Sequence, residues 1–167
     1  EAGGTTAVTF NTDQSINYPG QATFNVGHGE PSQLNLTADS DNTIVFNIET
    51  SENYDLGGDF ASNTFTAPVT GKWILCTRFL IAAIDHDASS NNYVKIITSN
   101  RNHGAYFDTQ AIWEAQAEMM SFQIEIVADM DASDTAYVTY NAVGAGASQE
   151  DVYGTNVIYH GFSGTPV

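Results

Sequence analysis

Only four of the 167 residues are lysine or arginine, one is cysteine, four are proline, and no apolar run approaches the ~20 residues of a membrane-spanning helix. Each shortage excludes something. With 20 acidic side chains against four basic ones, the formal net charge is -16, and that field repels phosphate backbones and anionic headgroups. Nucleic-acid binding and membrane-surface roles are set aside on that ground, and membrane insertion for want of an apolar span. A lone cysteine forbids an internal disulfide. Cys76 lies in the most apolar stretch of the chain, where an inert buried thiol is expected. The start at Glu1, with neither a Met nor a charged-plus-apolar leader, reads as a processed product or a fragment.

Catalytic signatures are missing too. No Gly-x-Ser-x-Gly elbow occurs, and Ser163 between Phe162 and Gly164 lacks that spacing. Gly144-Ala-Gly146 is followed by neither Lys nor a helix, so it is no phosphate loop. His28, His86, His103 and His160 are scattered without zinc-ligand spacing and read as surface or packing histidines. Carboxylates are so frequent that no pair stands out for glycosidase chemistry. The chain reads as non-catalytic.

What is present is a folded acidic protein. Its charges are dispersed among Asn, Ser, Thr and Gly, and 42% of residues are hydrophobic, which separates it from a disordered acidic tail. Length allows one well-cored domain. Residues 1–16 are small and polar, with Val8 and Phe10 as the only anchors, and read as a linker or the end of a stem; residues 17–167 form the globular domain.

Strand patterns dominate it. Ala22, Phe24 and Val26 alternate with polar residues, as do Ile44, Phe46 and Ile48, and later Phe122, Ile124, Ile126 and Ala128. Further extended stretches cover Leu34 to Leu36, Thr64 to Ala67, Tyr93 to Thr98, Ala136 to Val143 and Val157 to Tyr159. Asn100 to Gly104 reads as a turn, and Gln110 to Met120 has the one helix-favouring composition, although it could instead pair between its neighbours. The longest strand lies between Thr64 and Ile84. Trp73, Leu75, Thr77, Phe79 and Ile81 point to one side of it, and Ile74, Cys76, Arg78 and Leu80 to the other. Both rows are mostly apolar, so both faces should be covered, and a second subunit is the simplest cover for the outer one. Eight to ten short strands between Asn/Asp/Gly turns argue for an all-β, antiparallel two-sheet jelly-roll sandwich.

Several pieces resemble the globular head of the complement C-one-q family, in the tumour necrosis factor-like jelly-roll superfamily. Tyr54-Asp55, Phe60, Phe65-Thr-Ala-Pro68 and Gly71-Lys-Trp73 match its Tyr-Asp, Phe-x-Ala-Pro-x-x-Gly-x-aromatic pattern. Asp131-Ala-Ser-Asp134 before Ala136-Tyr-Val138 is similar to its turn and following strand, with Ser133-Asp134 in place of the usual Gly-Asp. Phe162-Ser-Gly164 matches its closing motif. In physical terms, Pro68 pre-sets the turn, Gly71 is expected at a positive φ, Trp73 anchors the core, Phe162 packs beside the long strand and Gly164 leaves room for a close approach.

The resemblance implies a compact homotrimer, with Ile74, Cys76, Arg78 and Leu80 as the threefold interface. Ile97-Thr-Ser-Asn-Arg101 and Ala128-Asp-Met-Asp131 are similar to phage-borne members. The expected role is therefore a virion surface or tail-fibre module, at the virion surface or extracellular, that attaches to a host-surface glycan or protein. Asn91, Asn92 and Tyr106 are the candidate contacts, with Trp113 expected in the core. The alternatives are a purely structural subunit of a capsid decoration or larger surface assembly, and a monomeric carbohydrate-binding module. No cofactor is expected unless calcium binds, for which Asp129, Asp131 and Asp134 offer closely spaced oxygens, and Asp85 and Asp87 with the neighbouring Asn91 and Asn92 a second set. Asn35-Leu-Thr37 is a glycosylation sequon by pattern.

Overall fold

The computed structural model describes residues 9–10, 16–17, 22–47, 54–84, 91–112, 117–144, 150–154 and 159–167. Two short strands, β1 (Thr9–Phe10) and β2 (Ile16–Asn17), pair with each other within or beside the stretch read as linker. There follow β3 (Phe24–Val26), β4 (Asn42–Thr43), β5 (Tyr54–Asp55), β6 (Phe60–Ala61), β7 (Thr64–Thr66) and β8 (Gly71–Ile84). Beyond these come β9 (Asn91–Thr98), β10 (Asn102–Phe107), α1 (Thr109–Ile112), β11 (Ala117–Met130), β12 (Thr135–Val143), β13 (Asp151–Val152) and β14 (Gly161–Pro166).

These strands form two antiparallel sheets. One runs β10-β9-β12-β7-β6 with β4 also on β12, the other β11-β8-β14-β3-β5 with β13 also on β8. The chain folds as an all-β jelly-roll sandwich. Its longest ladder joins β8 to β11, from Gly71 opposite Met130 to Ile84 opposite Ala117. Alternation on β8 follows the sequence: Trp73, Leu75, Thr77, Phe79 and Ile81 are all fully buried. It slips at Ala83, whose φ of 57° turns it outward while Ile84 is buried.

Aromatic rings fill the space between the sheets. Phe24 stacks on Phe65 at 4.5 Å and meets Phe162 edge-on at 5.0 Å, with Trp73 4.9 Å from Phe65. A second group packs Phe122 against Phe107 at 4.8 Å and Tyr140 at 5.3 Å. Such pairs add about 0.5–1.5 kcal/mol each beyond the area they bury.

Four expectations are corrected. Among the described residues the α-helix covers only Thr109–Ile112, capped by Asp108 Oδ1 accepting the Ala111 N–H at 3.0 Å. Ala117–Met120 extend β11 instead, because pairing with Ile81–Ile84 outweighs a modest helix propensity. Asn102–Gly104 belong to β10, held by Lys95–Ile97 of β9, and are no turn. Leu34 and Leu36 form no strand: a single bridge joins Gln33 to Val152, leaving Leu34 exposed and Leu36 buried. Gly71 opens β8 without a positive φ; the glycines among the described residues that have one are Gly58 and Gly144. Val157 and Ile158 lie outside the described residues.

Gly164 does have the expected tight surroundings. It sits opposite Phe24 and Leu75 in β14, where an added Cβ would lie 2.3 Å from Phe24 Cε1 and 2.9 Å from Leu75 Cδ2. Gly164→Ala is therefore expected to lower the unfolding free energy by about 1–3 kcal/mol. Urea denaturation measures this; an unchanged midpoint contradicts the packing.

Candidate functional site

Period-two alternation sends Asn91, Tyr93 and Lys95 of β9 to the outer face of their sheet, and Asn92 and Val94 to the core. Register then brings other chain segments beside them. Tyr106 of β10 lies opposite Tyr93, which in turn lies opposite Asn141 of β12. Tyr106 is 52% exposed, and its ring meets that of Tyr93 edge to face at 5.5 Å. Its hydroxyl donates to Asn91 Oδ1. Desolvation and the nearby Asp108 carboxylate raise the Tyr106 pKa, so the phenol stays a donor at neutral pH.

A polar chain borders the two rings. Lys95 Nζ lies 5.6 Å from the Tyr93 ring centre and donates to both carboxylate oxygens of Asp41, at 2.7 and 2.8 Å. Asn141 Nδ2 donates to the same Asp41 at 3.1 Å. Partial burial raises the Asp41 pKa, but the Lys95 and Asn141 bonds outweigh it and hold the carboxyl below its usual range. Opposite Lys95, Gly104 of the edge strand presents no side chain, and Lys95 Cγ fills that place, 3.3 Å from where a Cβ would stand. The result is a half-exposed aromatic ledge flanked by amide, ammonium and carboxylate groups.

Two of the three expected contact residues meet here, Asn91 and Tyr106. Asn92 does not. It is fully buried on the opposite face, where Nδ2 donates to Thr109 Oγ1 at 3.4 Å. Tyr93, Lys95, Asp41 and Asn141 were missed: the alternation Asn91-x-Tyr93-x-Lys95 places three side chains on one face, but their partners are set by register. Trp113, His86, Asp85 and Asp87 lie outside the described residues.

The outer face of the other sheet carries the expected interface residues. Ile74 and Cys76 are half-buried, Arg78 is exposed, and Leu80 is buried. Beside them on β11 stand Gln123, Glu125 and Val127, the last 60% exposed, so this face is mixed rather than mostly apolar. Asn25, Tyr54, Cys76, Arg78, Gln123, Gly161 and Ser163 line a depression of about 320 Å³ in it. Burial, reinforced by Glu125, raises the Cys76 pKa, which keeps the thiol unreactive.

At the expected calcium loop the carboxylates have other work. Asp134 Oδ2 accepts the Asp131 N–H at 2.8 Å and Asn100 Nδ2 at 2.6 Å, closing the turn. Among the described residues, no three His, Cys, Asp or Glu side chains, Asp129 and Asp131 included, gather as a metal site needs. The sequon residues Asn35 and Thr37 are exposed.

Comparison with known proteins bears on the fold. The chain is similar to the globular domain of the zebrafish complement 1qA protein, with 15% identity and a TM-score of 0.58 over 88% of this chain and 97% of that one. At that identity the likeness establishes the class, a complement-head-like jelly roll, and the fold alone. No family model and no curated protein matches the sequence.

Ser133, where the family pattern has glycine, adopts a φ of 79°, a left-handed conformation costly for a residue with a Cβ. Ser133→Gly is expected to raise stability by about 0.5–1 kcal/mol. Thermal unfolding checks this, and a lower melting temperature contradicts it.

Proposed function

We propose that this domain is a non-catalytic recognition head, displayed as a homotrimer on a virion or another extracellular surface assembly, that holds a host-surface glycan on the outer face of β9 and β10. The observation that carries the reading is the Tyr106–Tyr93 ledge with Asn91 on one side and the Lys95–Asp41–Asn141 chain on the other. Sugar rings offer apolar C–H faces and a rim of hydroxyls. The first lies well on an exposed aromatic ring, and the second pairs with fixed amides, which donate and accept, and with a carboxylate, which accepts. A net charge of -16 disfavours strongly anionic ligands and favours neutral sugars.

The homotrimer is supported by the mixed face of β8 and β11, where Ile74, Cys76 and Val127 leave apolar surface around Arg78, and by the likeness to a complement head domain. The resemblance of Ile97-Thr-Ser-Asn-Arg101 and Ala128-Asp-Met-Asp131 to phage-borne members supports the virion setting. No helix among the described residues is long and apolar enough to cross a membrane. A purely structural role, as a trimeric knob without a receptor, shares every feature except the ledge.

A glycan array and a whole-cell binding assay separate the two. The domain is expected to bind at least one neutral glycan, and Tyr106→Ala to weaken that binding at least about tenfold, equivalent to ~1.4 kcal/mol, with the melting temperature unchanged. Binding to no glycan and no cell contradicts the recognition role and leaves the structural one.

A further inference from the structure

His28 and His160 belong neither to the aromatic core nor to either outer face. They are 1% and 2% exposed, and their rings meet edge to face with centres 5.3 Å apart. His28 Nδ1 lies 2.7 Å from the Val45 carbonyl and donates to it. His160 Nδ1 accepts the Leu80 N–H at 3.4 Å. Nε2 of both rings is buried without a hydrogen-bond partner.

The pair sits where β13 pairs with Ala82 and Ile81 of β8 and Gly27–Leu36 lies against the far side of β13. Gly27–Leu36 and Glu150–Gly154 are tied together by the reciprocal Gln33–Val152 bonds at 3.0 and 2.9 Å, by Leu36 N–H to the Glu150 carbonyl at 2.9 Å, and by Gly154 N–H to Ser32 Oγ at 2.9 Å. Tyr153 N–H donates to the Leu80 carbonyl at 3.0 Å, so the Leu80 peptide receives the strap and donates to His160.

This arrangement suits neutral rings. A protonated His160 would aim an Nδ1–H at the Leu80 N–H, losing that acceptor, and a charged pair would set like charges in contact away from water. Of the charged groups facing the pair, Glu30 favours a charge on His28 and Arg78 disfavours one on His160. The Val45 carbonyl favours a charge on His28 more than Glu30 does and the Val152 backbone less, and the Tyr153 backbone favours one on His160 more than Arg78 opposes it, but burial outweighs all of these. Glu150 accepts from the Tyr140 hydroxyl at 2.6 Å, and Asp151 from the Asn35 N–H at 2.6 Å.

We propose that the His28–His160 contact is an acid-operated release, in which protonation of the pair frees Glu150–Gly154, together with the Gly27–Leu36 segment bound to it, from the edge of β8 while the β8–β11, β8–β14 and β9–β12 ladders stay paired. Burial lowers the pKa of both rings, and His160, with His28 as its second cause, falls to about 4. An opened strap takes up protons near the ordinary 6.5, whereas the closed one resists down to about 4. Closure is therefore strongest above 6.5, weakens as pH falls through that interval, and changes no further below it. At pH 5 the shift from His160 alone is on the order of thirtyfold.

Hydrogen exchange on the whole chain at pH 7.5 and 5, corrected for intrinsic rates, tests this. The Gln33, Leu36, Val152 and Tyr153 amides are expected to lose about thirtyfold protection or more, while those of Val94, Ile96 and Ile124 keep theirs. Unchanged strap protection at pH 5, or loss in strap and sheets together, overturns the proposal. So does proton NMR of the unaltered protein showing His28 and His160 titrating near the ordinary value. His160→Asn, where it folds, should cut the pH effect at least tenfold; an effect of full size contradicts the assignment.

Discussion

Pairing of Gly71–Ile84 with Ala117–Met130 is the constraint on which the other elements depend. Two strands of that length expose a long ridge of Trp73, Leu75, Phe79, Ile81, Phe122 and Ile124 toward one side, and such a ridge is stable only under a second apolar layer. The β9–β12 sheet supplies it through Val94, Ile96, Val138 and Tyr140. On the other edge of β8, β14 delivers Phe162 to the aromatic cluster and Gly164 to the gap over Leu75. The closing Phe162-Ser-Gly164 motif is thus explained by volume: a ring where the core needs filling and no side chain where it is already full.

Most of this was legible in the sequence because period-two alternation is a local property. The inward row of β8 and the burial of Phe24, Val26, Phe162 and Gly164 could be read from residue order alone. Properties set by register could not. Nothing local distinguishes Ala117–Met120 as strand, since the deciding factor is Ile81–Ile84 across the ladder. Asn91 and Asn92 look equivalent in sequence, yet one residue of phase places the first beside Tyr106 and the second in the core. Asp41 reaches Lys95 and Asn141 only because β4 joins the edge of β12. His28 and His160 stand 132 positions apart and meet through the pairing of β3 with β14. The apolar character of the outer row of β8 was legible only in part, since Glu125 and Gln123 of β11 dilute the apolar surface around Cys76.

The two outer faces of the sandwich therefore differ in chemistry. One presents tyrosines beside a fixed polar chain and suits a ligand with both apolar and hydroxylated surfaces. The other presents half-buried Ile74 and Cys76 beside the exposed cations Lys72 and Arg78, and is the face proposed to meet another copy of the same chain. Placing the proposed glycan face and the proposed subunit contact on different sheets allows three copies to assemble with all three ledges free, and several weak sugar contacts then act together. The buried histidines lie at a third place, the β13 strap on the edge of β8, where the proposed protonation releases one short ladder and leaves the long ones paired.

In the proposed homotrimer the β8–β11 face is covered by further copies of this chain. Sedimentation equilibrium across nanomolar to micromolar concentrations measures this. A species of three times the 18.0 kDa chain mass is expected at micromolar concentration. A species that stays at the single-chain mass throughout that range would contradict it.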